Sequence, residues 1–245
     1  MRTEASAHRR NEDRRQSRTG ATRAALAGLV LIWFAAACGI GVGRLLVNDP
    51  VSLFPPVAVT AVLPVAVFLA LYTLSVRFRA FILAQNIRTL TMLHHWRVIG
   101  FAFLPLYAFG VLPGLFAWPA GMGDIAIGLV TPLVIARIGR DPAWATSAGM
   151  VRFHLLGLLD FAFAFAAAGL AAGALPALIV DGVTSAPLDV WPLNLFPSFI
   201  VPIFVILHLS VLLKIRHLRQ ALRHPDIPAG TARKDISPAP SGTAE

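Results

Sequence analysis

Six runs of apolar residues, each close to the length of a bilayer crossing, limit this chain more than any other feature. A helix needs about 20 apolar residues to cross the hydrocarbon core. The runs cover roughly Arg23–Val47, Pro56–Val76, Arg97–Leu115, Gly121–Arg137, Met150–Ala172 and Phe196–Leu213. Hydrophobic residues make up 57% of the chain and charged residues only 13%. A soluble domain carries about 25% charged residues, so the soluble classes are excluded. The pattern predicts an all-α, polytopic transmembrane bundle of six spans. Prolines inside the runs (Pro56, Pro64, Pro105, Pro132, Pro197, Pro202) fit a packed, kinked bundle, because neighbouring helices can satisfy the carbonyls that proline frees.

The basic residues set an orientation. With the N-terminus in the cytoplasm, the inside segments hold Arg2, Arg9, Arg10, Arg14, Arg15, Arg18 and Arg23, then Arg77, Arg79, Arg88 and Arg97, then Arg137, Arg140 and Arg152. The C-terminal segment adds Lys214, Arg216, Arg219, Arg223, Arg233 and Lys234, leaving only Arg44 outside. This is the positive-inside bias, and it places both termini in the cytoplasm of a cell (inner or plasma) membrane. The net charge of +9 is thereby a topology signal, and no nucleic-acid partner is expected. Trp96 and Trp144 fall at inner edges and Trp118 and Trp191 at outer ones, as an aromatic belt would have them.

Residues 1–22 and 221–245 read as disordered cytoplasmic tails around a membrane domain at 23–220, since neither tail has enough apolar surface to offset chain entropy. The segment "FAAACG" around Cys38 resembles a lipoprotein cleavage box, but the apolar run continues past Cys38, and retention of the first span is the expectation. Between spans two and three, Arg77–Arg97 has a ragged apolar face and reads as an amphipathic helix on the inner surface. Its adjacent His94 and His95 point about 100° apart on an α-helix and make a poor joint metal site.

The string "LPGLFAWPAGMGDIAIG", Leu112 to Gly128, preceded by "RVIGFAFLPLYAFG", resembles a family of uncharacterised bacterial multi-spanning membrane proteins with an L-P-x-x-F-A-x-P-A-G-x-G-D signature joining two helices. "LLGLLDFAFA" and "NLFPSFIVPIFVILHL" extend the resemblance, which covers about Arg97 to Leu213. It implies a membrane topology and no particular chemistry.

The chemistry-bearing candidates are four. Asp124 is expected in the first turn of the fourth span, after a turn built from Pro113, Gly114, Pro119, Gly121 and Gly123. There it would cap free N–H groups or open a polar path. On the fifth span Asp160 shares a face with Gly157, Ala164, Ala168 and Ala171, which directs it into a helix interface. Asp160 and His208 fall at similar depth on antiparallel, consecutive spans, so a direct or water-bridged pair is expected. His154 lies about 120° from Asp160 around the helix and nearer the cytoplasm. His154, Asp160 and His208 fall at unequal depths, which makes a poor zinc set. An offset of about 8 Å between His154 and His208 argues against haem. No metal, no cofactor and no catalytic residue is therefore expected. Three function classes remain open: a small transporter or permease with a midplane Asp–His site, a structural or regulatory subunit with a homo-oligomeric or membrane partner, and an intramembrane enzyme acting on a lipid-soluble substrate.

Overall fold

The computed structural model describes residues 24–47, 55–173 and 175–223. Among them every regular element is helical: α1 Ala24–Val42, α2 Pro56–Leu74, α3 Val76–Ala84, α4 Ile87–Met92, α5 Phe103–Ala108, α6 Gly114–Arg140, α7 Ala148–Leu170 and α8 Val201–Arg223. A 3-10 helix, Leu93–Ala102, joins α4 to α5, and a π-helical turn, Phe196–Ile200, leads into α8. Both expected tails fall outside the described residues, apart from 221–223, which close α8.

Five helices are long and apolar enough to cross a membrane: α1, α2, α6, α7 and the joined Phe196–Arg223. Their outward side chains are large and apolar, among them Leu63 on α2, Leu133 on α6 and Phe163 on α7. Water would penalise that surface and hydrocarbon would not.

The expected third span takes another form. In place of one helix over Arg97–Leu115, the chain runs through α4, the 3-10 segment and α5, and turns at Gly110, whose φ of 68° suits glycine. The expected surface helix over Arg77–Arg97 is also divided. Gln85 ends α3, and the Asn86 side chain caps α4 by accepting from the Thr89 N–H at 3.1 Å. From there Ile87, Thr91, His94 and Arg97 turn inward and are buried, so this half does not lie on a surface.

The winding explains the burial. Ten residues are long for a 3-10 helix, in which side chains three apart eclipse. Thr91, His94, Arg97, Gly100 and Phe103, at intervals of three, form one buried row. That row lies along α6, where Gly121 and Gly128 allow close approach. A Cβ on Gly128 would stand 2.8 Å from the Val98 nitrogen, and one on Gly121 would stand 3.2 Å from the Gly100 carbonyl oxygen. The glycines expected in a turn before Asp124 thus lie within α6, and so does Pro119.

Helices α6 and α7 pack side by side after a short 3-10 connection, Pro142–Thr146, and Ser147 caps α7 by accepting from the Met150 N–H at 3.2 Å. Helix α8 packs on α7 and on α4, and Arg219 donates to the Thr146 carbonyl at 2.8 Å. One end of the bundle therefore gathers Arg140, Thr146 and Arg219; the other carries Pro113. Helices α1 and α2 attach through polar contacts to the start of α8. Trp33 donates to the Ser198 carbonyl at 3.0 Å, Thr60 and Ser198 hydroxyls pair at 2.9 Å, and Asn194 donates to the Ala37 carbonyl at 2.8 Å.

Candidate functional site: a buried arginine between two aspartates and three histidines

Arg97 has no exposed surface, yet it carries a charge that burial alone would make costly. Its donors are placed accordingly. Nε donates to Asp124 Oδ1 at 2.7 Å, and Nη2 donates to Asp160 Oδ2. Nη1 donates to the Gly157 carbonyl at 3.1 Å and to His208 Nε2 at 3.1 Å. The guanidinium carbon lies 3.9 Å from the Phe161 ring centroid, a cation–π contact. The donors thus meet acceptors from three elements, α6, α7 and α8.

Hydrogen-bond bookkeeping fixes the histidine tautomers beyond Arg97. An arginine nitrogen only donates, so His208 Nε2 accepts and its proton sits on Nδ1. His208 Nδ1 lies 2.8 Å from His154 Nδ1, which must accept. His154 Nε2 then carries a proton and faces Thr91 Oγ1 at 3.4 Å, while Thr91 donates onward to the Ile87 carbonyl at 2.8 Å. A directed chain runs from Arg97 through His208, His154 and Thr91 to the backbone of α4. All four side chains are fully buried.

His94 stands against this chain without joining it. Its ring stacks on His208 with centroids 3.7 Å apart and planes 22° apart, and meets the edge of the His154 ring at 5.4 Å. It is wholly buried, and neither ring nitrogen has a hydrogen-bond partner among the described residues. One nitrogen from each of His94, His154 and His208 can be chosen so that all three lie within 4.8 Å of one another. These are the residues that could hold a metal.

On the other side of Arg97, Asp124 and Asp160 line a crevice of about 50 Å³ whose remaining walls are apolar, with Phe103, Phe116 and Phe161 among them. The crevice shares Phe165, Ala168, Leu188 and Pro197 with a cavity of about 810 Å³ that also touches Arg44 and Ser185. Small residues make the room. A Cβ on Gly123 would overlap the Asp160 carboxylate, and one on Gly157 would overlap the His208 ring.

All four residues singled out from the sequence belong to this cluster, in arrangements that differ from the expected ones. Asp124 does not cap a helix: α6 begins at Gly114, so Asp124 lies in its middle, paired with Arg97. Arg97 stands between Asp160 and His208 and bonds both. His154 and His208 are adjacent, with Nδ1 atoms 2.8 Å apart and not offset by about 8 Å, because depth counted from run ends misjudges the level at which α7 and α8 meet. Phe161, next to Asp160 in the chain, is buried beneath Arg97. Arg97 and His94 join the cluster although the sequence pattern marks neither as a site residue, and His95 is separated from its neighbour: it is exposed and donates to the Gly128 carbonyl at 3.0 Å.

The fold and this centre define a helical multi-span protein with an ionic core. Residues 54–216 match the family described as Domain of unknown function (DUF8737), and the chain belongs to that family. No curated protein and no solved structure matches it.

Proposed function

We propose that the protein is a permease-like membrane protein that binds a small organic cation, such as an alkylammonium ion, at the Asp124–Arg97–Asp160 centre. One observation carries the reading. Two carboxylates share a single guanidinium and both face a crevice walled by phenyl rings. Ionised together they leave one negative charge unmatched, and an aromatic wall beside a carboxylate suits a positively charged, weakly hydrated guest. The larger cavity beyond Phe165 is the approach.

The winding of α4, the 3-10 segment and α5 supports six crossings. At about 1.5 Å per α residue and about 2.0 Å per 3-10 residue, that path is about 38 Å long, enough to traverse a core of about 30 Å. Six crossings with the basic end inside put both termini in the cytoplasm of the inner membrane and open the large cavity outward. A green fluorescent protein fused after Glu245 should fluoresce and alkaline phosphatase fused there should be inactive; the reverse pattern rejects the topology.

The binding test is thermal unfolding of the purified protein in detergent with alkylammonium ions and with alkanols of the same chain length. Stabilisation by the ammonium series alone, abolished in Asp160→Asn, is the expected result. Equal stabilisation by the alkanols, or retention in Asp160→Asn, rejects a cation site. Uptake of the best-binding labelled ion into proteoliposomes then separates a permease from a receptor.

A further inference from the structure

We propose that His94, His154 and His208 form a metal centre for a divalent d-block ion, distinct from the carboxylate crevice across Arg97. Three fully buried imidazoles from three separate elements converge so that one nitrogen of each lies within 4.8 Å of the others. Around a tetrahedral ion with nitrogens at about 2.1 Å, ligand atoms stand about 3.4 Å apart, so the distances suit one ion once the His94 ring turns out of its stack on His208.

His94 is the observation that points to a ligand. A buried polar ring without hydrogen bonds is costly. Every other polar side chain of the cluster is satisfied, and the tautomers of His154 and His208 close their own chain without needing His94. Coordination gives its nitrogen a partner.

The donor set selects the ion. Three imidazoles and no carboxylate favour zinc, copper, cobalt or nickel over magnesium, calcium or manganese. The surrounding rings of Phe153 and Phe204 exclude water.

The hydrogen bonds around His208 set how it would bind the ion. Binding forms three N–metal bonds and releases to bulk water the proton that His208 Nδ1 donates to His154 Nδ1. His208 Nε2 already accepts from Arg97, so the metallated ring is an imidazolate between the ion and the guanidinium. Arg97 is the outer partner that orients this ligand, the role second-shell groups take at metal sites.

The test uses the full chain purified in detergent with a tag that contains no histidine, stripped with chelator and titrated with Co(II) and Zn(II). Co(II) is read by visible absorption and Zn(II) by elemental analysis after gel filtration. The expected result is one ion per chain, with visible bands of low-symmetry cobalt. His94→Phe keeps the ring stack and removes the nitrogens, so it should stay folded and bind at least tenfold more weakly. His95→Ala should bind like the wild type. His94→Gln serves if His94→Phe does not give a monodisperse protein. Wild-type affinity in the His94 variant, loss of binding in His95→Ala equal to that in His94→Phe, or less than 0.2 ion per wild-type chain (about a fifth of a site) overturns the proposal. The ammonium-binding result does not bear on it, because Asp160→Asn leaves all three imidazoles in place.

Discussion

His154 and His208 face one another Nδ1 to Nδ1 at 2.8 Å, although 54 positions separate them in the chain. One nitrogen must donate and the other accept, and only Arg97 on the far side of His208 decides which. The polarity of the histidine pair is therefore set by an arginine that touches both aspartates.

Arg97 should be the most sensitive position in the bundle. Removing one member of a buried ion network strands its partners, at a cost of about 3–5 kcal/mol. Arg97→Leu leaves two carboxylates facing each other and should abolish the folded yield in detergent. Arg97→Lys keeps the charge but cannot reach α6, α7 and α8 together, and should fold with a lowered melting temperature. Equal stability of Arg97→Leu and wild type by thermal unfolding would refute a structural role for the triad.

Asp160 and His208 should behave as one unit through Arg97. Asp160→Ala and His208→Ala each remove an acceptor from the same guanidinium. Their destabilisations, measured by thermal unfolding, should fall short of additivity by about 0.5–3 kcal/mol in the double variant. Additive losses would mean that the two residues act independently.

Asp124 should need its charge. A helix cap survives replacement of Asp by Asn, whereas an arginine partner does not. Asp124→Asn is expected to lose nearly as much folded protein by gel filtration as Asp124→Leu. An Asn variant with the wild-type elution profile and yield would show that the contact with Arg97 does not need the charge.

Gly157→Ala should displace the centre without removing any of its polar groups. The added methyl overlaps the His208 ring and stands 3.0 Å from Arg97 Nη1, and overpacking of this kind costs about 1–3 kcal/mol. Gly28→Ala, where nothing lies within 4 Å, is the matched control and should melt with the wild type.

The sequence was legible where hydrocarbon sets the rule. Long apolar runs could be read as helices because lipid demands internally satisfied backbone and apolar side chains. Asp124, Asp160, His154 and His208 stood out because ionisable groups inside such runs are rare. Arg97 did not, because it begins an apolar run, where arginines usually mark orientation; the acids that bury it sit 27 and 63 positions away. The 3-10 winding of Leu93–Ala102 hides His94 from a helical reading. At 3.6 residues per turn Thr91, His94, Arg97 and Gly100 fan around a cylinder, and only at 3.0 do they form one line. The glycines near Asp124 read as a turn because proline and glycine mark turns in water, whereas here they thin a helix for close packing.

The 3-10 winding also acts as a screw thread. Rewinding Leu93–Ala102 as an α-helix would shorten it by about 5 Å and turn one end against the other by about 200°. Neither His94 nor Arg97 could keep its present neighbours through such a turn. The pitch of one ten-residue segment thus holds the histidine cluster and the acidic crevice in register, and a change of pitch would disengage both at once.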